Sequence, residues 1–244
     1  TDAASLQLTA TGEQEGLRLI RNHRLWETHL KEFSGLEPVD WHTEADVSEH
    51  RLGADEVNRI EARLGFPRVD PHGDPIPSAS GDLDTPVGVQ LNTVPEGEHV
   101  RILHLEDEPP ERFARLKGLY PGLVVEVTRR SGGRIHLSGE GDRFDLSTVV
   151  ANAVTVEHVS DDEDSNCRLL TDVPVGLTTR VLGISNACTG PARRRLLDLG
   201  IVPGTTIQPA FLSASGDPTA YRVRNALVAL RQSEARFIRV DRGF

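Results

Sequence analysis

Apolar positions Leu17, Leu19, Ile20, Leu25, Trp26, Leu30 and Phe33 recur at helical spacing. They predict a helix that opens at Thr11-Gly12, with Thr11 as N-cap and Glu13 and Glu15 at its positive end, and closes at Ser34-Gly35. Ahead of it SLQLTA (5–10) alternates apolar and polar and reads as the end of a strand. After a loop over Gly35 to Asp40, a second helix begins at Trp41 and ends near Gly53. A third, about Asp55 to Leu64, carries Val57, Ile60, Ala62 and Leu64 inward. DPHGDPIP (70–77) is too rich in Pro and Gly for regular structure.

From Val89 the texture changes to short apolar runs broken by Gly and Pro. VRILHL, LVVEVT, RIHLS and VTVEHV are strand-like, with one amphipathic segment, Glu111 to Leu119, between the first two. Then the pattern repeats. Val94-Pro95, Arg101 and Leu103 recur as Val173-Pro174, Arg180 and Leu182, all at an offset of 79. RFARLKGLYPGLVVEV (112–127) matches RRRLLDLGIVPGTTIQ (193–208) with small insertions. Each copy reads as a strand, a short helix, a PG turn and more strands, which suggests two small β-barrels rather than a solenoid. Ser78 to Gly88 and the acidic DDEDSN (161–166) read as linkers.

Charge narrows the function. A formal net charge of -10 argues against gripping nucleic acid by its phosphates, which takes a concentrated basic surface. The tight basic cluster Arg193, Arg194 and Arg195 reads as the exposed face of a helix. No apolar run is long enough to span a membrane, no secretory signal is present, and the expected location is cytoplasmic. Cys167 and Cys188 read as buried small hydrophobes, since two cysteines cannot staple a chain this size. The chain opens at Thr1 and holds no methionine, so it reads as a piece of something longer.

The candidate chemistry lies in WHTEADVSEHR (41–51). His42, Asp46, Glu49 and His50 fall at i, i+4, i+7 and i+8, one face of a helix. His23 and Glu27, also at i, i+4, lie on the preceding helix. Two solvated charged faces would give the same spacing; six such groups on adjacent helices also suit a divalent transition metal. His29 falls on another face of the first helix and reads as a surface or interface residue, and His72 as a structural hydrogen-bonding group in its turn. Glu44 reads as solvated; Trp26 and Trp41 read as core or dimer packing. No HExxH, Ser/His/Asp order or Gly-rich phosphate loop supports an enzyme.

LTATG entering a helix, then NHRLWE, GLEP, WHTEADVSEH and DPHGDPIP, in that order, resemble the metal-binding and dimerisation domain of the diphtheria-toxin-repressor family. Both repeats resemble the SH3-like FeoA domain, for which RRRLLDLGIVPGTTI is a close signature. The resemblance implies an α+β multidomain chain: 1–80 an all-α metal-binding and dimerisation domain, 81–90 a linker, 91–160 a first SH3-like barrel, 161–166 an acidic linker, and 167–244 a second. It implies an ancillary metal site at His23, Glu27 and His42, more weakly completed by Glu108 and Glu111, and a primary site at Asp46, Glu49 and His50. An Asp at position 46, where some relatives place Cys, favours Mn(II) or Fe(II), with Zn(II), Co(II) or Ni(II) possible in vitro.

The resemblance also implies a homodimer built on the apolar faces of the second and third helices. Family repressors bind DNA through an N-terminal winged helix that supplies a further primary-site ligand; that domain is absent from this sequence. The function implied is therefore the effector-binding and dimerising part of a metal-dependent repressor. The alternative is a cytosolic regulatory tail of a metal transporter, with a membrane permease fused upstream; NHRLWE also resembles such tails.

Overall fold

In the computed structural model, residues 7–84, 87–159 and 167–242 are described. The whole 161–166 linker and the start of SLQLTA lie outside them; Gln7 to Thr9 are irregular and Ala10 is already helical. The chain divides into two units, Thr1–Val87 and Gly88–Phe244.

The first unit is helical. Helix α1 (Ala10–Phe33) is capped by Thr9, whose Oγ1 accepts from the Gly12 N–H at 3.1 Å. The expected cap, Thr11, sits inside the first turn. The two threonines are two residues apart, and the pattern alone does not separate them. Helix α2 (Pro38–Ser48) starts earlier than expected, because Pro38 needs no N–H in a first turn and its fixed φ suits one. It also ends earlier, at Ser48; Gly53 is instead the N-cap of α3 (Ala54–Leu64). Gly65 closes α3 with φ +79°, a left-handed cap that costs glycine nothing. Leu25, Leu52, Val57, Ile60 and Ile76 form a small core between the helices, flanked by Trp26 and Leu64.

The second unit holds two six-stranded antiparallel sheets. The first comprises β1 (Val89–Gln90), β2 (His99–Leu105), β3 (Val124–Ser131), β4 (Arg134–Gly139), β5 (Asp142–Ser147) and β6 (Val154–His158). Its order is β1-β6-β2-β3-β4-β5. The second comprises β7 (Cys167–Leu169), β8 (Thr179–Ile184), β9 (Thr206–Leu212), β10 (Thr219–Val223), β11 (Ala226–Leu230) and β12 (Ile238–Asp241). Its order, β7-β12-β8-β9-β10-β11, is the same order one copy later. Even the bulge between the third and fourth strands recurs. The repeat read in the sequence is thus a repeat of topology.

Each sheet has its own core, one centred on Leu91, Ile102, Leu123 and Ile135, the other on Leu170, Leu196, Ile207 and Leu230. The amphipathic segment becomes α4 (Pro110–Phe113) and a following 3-10 turn (Ala114–Leu116); α5 (Thr148–Ala151) follows β5. In the second copy α6 (Gly190–Asp198) carries the arginine cluster and α7 (Gln232–Ala235) precedes β12. Arg194 and Arg195 are exposed there, as expected, while Arg193 is half-buried and reaches the Ile184 carbonyl at 3.3 Å. Cys188 is buried; Cys167 is only half-buried on β7.

Gly139 ends β4 where a Cβ would lie 2.5 Å from the Val124 carbonyl oxygen and 2.8 Å from Val125 Cγ1. Backbone cannot yield as a side chain can, so Gly139→Ala should cost about 1–3 kcal/mol in urea unfolding. An unchanged midpoint would show that the β3–β4 pair relaxes freely.

The two copies meet through a polar junction. The Tyr120 hydroxyl donates to Glu140, and Ser185 Oγ lies 2.7 Å from that hydroxyl and 3.2 Å from Glu140 Oε2. Asn186 Nδ2 donates to the Pro121 carbonyl at 2.9 Å, and Arg236 pairs with Asp142. Glu140 holds φ +47°, an uncommon backbone for a residue with a Cβ. Burial and the Glu140 carboxylate push the Tyr120 phenol well above its ordinary value, so it stays a donor.

Candidate metal centre

Helix α1 carries the centre and part of the core at once. Leu25 turns into the core, while His23 and Glu27, one turn apart, face α2. The residues flanking His23 fix the surroundings. Asn22, buried, donates from Nδ2 to the Glu49 carbonyl at 3.1 Å and so holds the turn that ends α2. Arg24 reaches the Pro75 carbonyl and, at 3.2 Å, Asp74, tying the DPHGDPIP turn to α1. Arg21 bonds Asn58 and Glu61 of α3 at 3.2 and 2.7 Å. Sequence reading passed over these three residues; polar residues at helix positions that alternate with the core stripe were the available signal.

His23 is the hub. Its Nε2 lies 3.2 Å from Glu27 Oε1 and 3.2 Å from His42 Nδ1. Its Nδ1 lies 2.8 Å from Glu49 Oε2 and 3.4 Å from Asp46 Oδ1. His42 adds 3.3 Å to Glu27 and 3.8 Å to Asp46. Donor atoms of His23, His42 and Asp46 all fall within 4.8 Å of one another. Ligands about 2.1 Å from one ion are separated by up to about 4.2 Å, so these spacings fit a shared divalent cation after small adjustment. Two imidazoles and three carboxylates, with no thiolate, are a donor set for such an ion.

The six candidate residues are not equivalent. Glu49 caps the end of α2 yet still reaches His23. His50 lies in the following turn, exposed, and its recorded contact is Glu49 Oε1 at 3.3 Å. A strict helical stripe would have kept His50 on the face; the helix ends two residues before it. Glu108 and Glu111 belong to the second unit, exposed before and within α4. Glu44 is exposed and Trp41 is buried, its indole N–H donating to the Leu36 carbonyl at 3.3 Å. His29 is half-buried, stacking on Trp26 at 5.0 Å and meeting Phe33 at 4.8 Å along a second, aromatic face of α1.

Glu27 is 1 % exposed. Burial would raise its pKa, but His23, His42 and His72 (Nδ1 to Oε2 3.6 Å) outweigh that and hold it well below the ordinary glutamate value. Burial likewise works to lower the pKa of His23, and Glu27 with Glu49 reverses the outcome, so it is raised. Stability from Glu27 is therefore complete above its unfolded value of 4.5 and erodes as pH falls below it. Stability from His23 is complete below 6.5 and is lost as pH rises through its raised value.

Asp70 behaves in the opposite sense to Glu27. It is buried in the turn, and its Oδ1 accepts the His72 and Asp74 backbone N–H groups at 2.8 and 2.9 Å. Burial nonetheless pushes it up to about 7. A raised carboxyl costs stability as pH climbs from its unfolded value of 3.8 toward 7. Asp70→Asn, which keeps the acceptor oxygen, should flatten that part of the stability–pH curve and raise stability at neutral pH; chemical unfolding at several pH values checks it.

The chain was compared with known families, curated proteins and solved structures. Residues 9–78 match the iron dependent repressor metal binding and dimerisation domain, and residues 89–158 and 168–242 each match the FeoA domain. The iron-dependent repressor IdeR of Mycobacterium leprae is 31% identical over 173 residues, 63% of this chain and 74% of that protein. The diphtheria toxin repressor of Corynebacterium efficiens is 29% identical over 167 residues, covering 64% and 72%. Among solved structures, a manganese-dependent transcriptional repressor in complex with manganese is similar at TM-score 0.58 and 33% identity, covering 63% of this chain and 76% of that one. ScaR with bound Zn2+ is similar at TM-score 0.52 and 25% identity, covering 63% and 78%. The chain belongs to the iron-dependent, diphtheria-toxin-repressor family and carries two FeoA domains in tandem.

Proposed function

We propose that this chain is the effector-binding and dimerising part of a metal-dependent transcriptional repressor, with Mn(II) or Fe(II) as effector. The observation that carries the reading is the convergence of His23, Glu27, His42, Asp46 and Glu49 within the segment matched to a metal-binding domain. Donors of this hardness suit Mn(II) and Fe(II), while Zn(II), Co(II) and Ni(II) would enter the same nitrogens and oxygens in vitro. In this reading His23, Glu27 and His42 form one ligand group and Asp46, Glu49 and His50 the other, with Glu108 and Glu111 as weaker contributors. The named relatives are repressors, which favours this reading over a transporter tail.

A bound ion would supply the positive charge that ties the carboxylates of α1 and α2 to one point. The chain's residues do the rest. Asn22 keeps the α2 terminus, and so Glu49, against His23. His23 must give up its proton to serve as a ligand, so affinity should fall as pH drops below its raised pKa. The dimer would use apolar faces of α2 and α3; Val39 and Val47 are exposed on α2, and Phe66 is exposed just past the end of α3. DNA contact would fall to a winged helix ahead of the metal-binding domain; a net charge of -10 supports leaving it to that domain. We assign residues 1–80 to that helical domain, 81–90 and 161–166 to linkers, and 91–160 and 167–244 to barrels of SH3-like type.

Anaerobic calorimetry with Mn(II) and Fe(II), run beside sedimentation, tests the reading. Saturable binding with proton release and a metal-loaded dimer are expected. A chain that takes up neither ion, or stays monomeric when loaded, overturns it.

A further inference from the structure

The two copies share one ladder, which makes each a control for the other. In the first copy a row of outward side chains crosses three strands: Arg129, His136 and Asp145. The neighbouring row is Glu126, Ser138 and Arg143. Arg134 pairs with Asp145 at 2.7 Å on the same face, so the edge strand β5 is lined with charge. That is how sheet edges are ordinarily protected from pairing with another chain.

The same two rows in the second copy read Phe211, Ala220 and Ala229, then Gln208, Arg222 and Leu227. Phe211 is 56 % exposed and Leu227 52 %, with Leu212 exposed beside Phe211. The edge strand β11, ALVAL, carries no charge, and its residues pair with β10 alone among the described strands. The first copy folds with the polar version of this face, so the fold does not require the apolar one.

From this contrast we infer that β11 is a strand-addition surface whose occupant is β11 of a second copy of the chain, joined antiparallel about Val228. Strand geometry and the sequence select that occupant. Centred on Val228, the pairing sets Ala226 against Leu230 and Leu227 against Ala229, small against large in each pair. Arg231 falls opposite Asn225 and Arg224 opposite Gln232, so no like charges meet. The contact is isologous, as a two-fold interface requires. It is separate from the dimer surface proposed on the helices.

The test uses the full chain, with Leu227→Lys/Ala229→Lys and Leu227→Glu/Ala229→Glu variants, all on outward positions. Wild type should sediment at a greater mass than either variant alone. Where the helical unit does not associate, that is a dimer against a monomer; where it does, it is a tetramer or larger assembly against a dimer, since each chain then carries two two-fold contacts. A one-to-one mixture of the Lys and Glu variants should restore the wild-type mass. Hydrogen exchange on the unmodified chain should show β11 amides gaining protection as concentration rises. Equal masses for wild type and variants, a mixture that fails to restore the mass, or β11 amides indifferent to concentration would each overturn the inference; the last needs no variant to fold.

Discussion

Replacing His23 by alanine is expected to weaken Mn(II) binding at least about a hundredfold, since even residues behind a ligand are worth about 10- to 100-fold. His23 lies within 3.4 Å of Glu27, His42, Asp46 and Glu49 together, so its removal takes away the group with the most contacts to both halves of the centre. His50→Ala should cost less, because its imidazole is exposed and its recorded contact is Glu49. Calorimetry on the two variants ranks them. His50→Ala as damaging as His23→Ala would mean that the turn after α2 rearranges to bring His50 inward.

Leu25→Ala should destabilise the helical unit by about 2–5 kcal/mol, the range for a fully buried leucine. That is a large share of what a core of five buried residues can supply. Because Leu25 lies between His23 and Glu27 on α1, folding of this turn and assembly of the centre are one event. Saturating Mn(II), at about a hundred times its Kd, should return about 2.7 kcal/mol. Urea unfolding with and without Mn(II) measures both quantities. A loss that metal fails to offset, in a variant that still binds it, would show that the centre forms without the core.

The sequence was most legible where one residue type has one use. The tandem repeat was readable because the Val-Pro pairs recur 79 residues apart and the PG turns 82 apart, and both copies then share a strand order. Helix ends were less so: Thr9 and Thr11 are chemically alike, and Pro38 could close a loop or open a helix. The metal-ligand candidates were visible by type, but their grouping was not. Helical spacing assigns residues to a face of one helix and cannot say that a single imidazole touches side chains read as two separate sites. Strand β5 escaped notice because its outward side chains are charged, and charge on an edge strand looks like a loop. The aromatic contacts of His29 were not legible, because helical spacing places it on another face of α1 without showing that Trp26 and Phe33 share that side.

The junction of Tyr120, Glu140 and Ser185 has a consequence for association. Two domains on a free tether surrender orientational freedom each time a partner grips both, and that entropy is deducted from affinity. Here Ser185 and Asn186 of one copy are already held by Tyr120, Glu140 and Pro121 of the other. The deduction is made once, during folding. Whatever docks on this tandem meets a surface set in advance by those contacts.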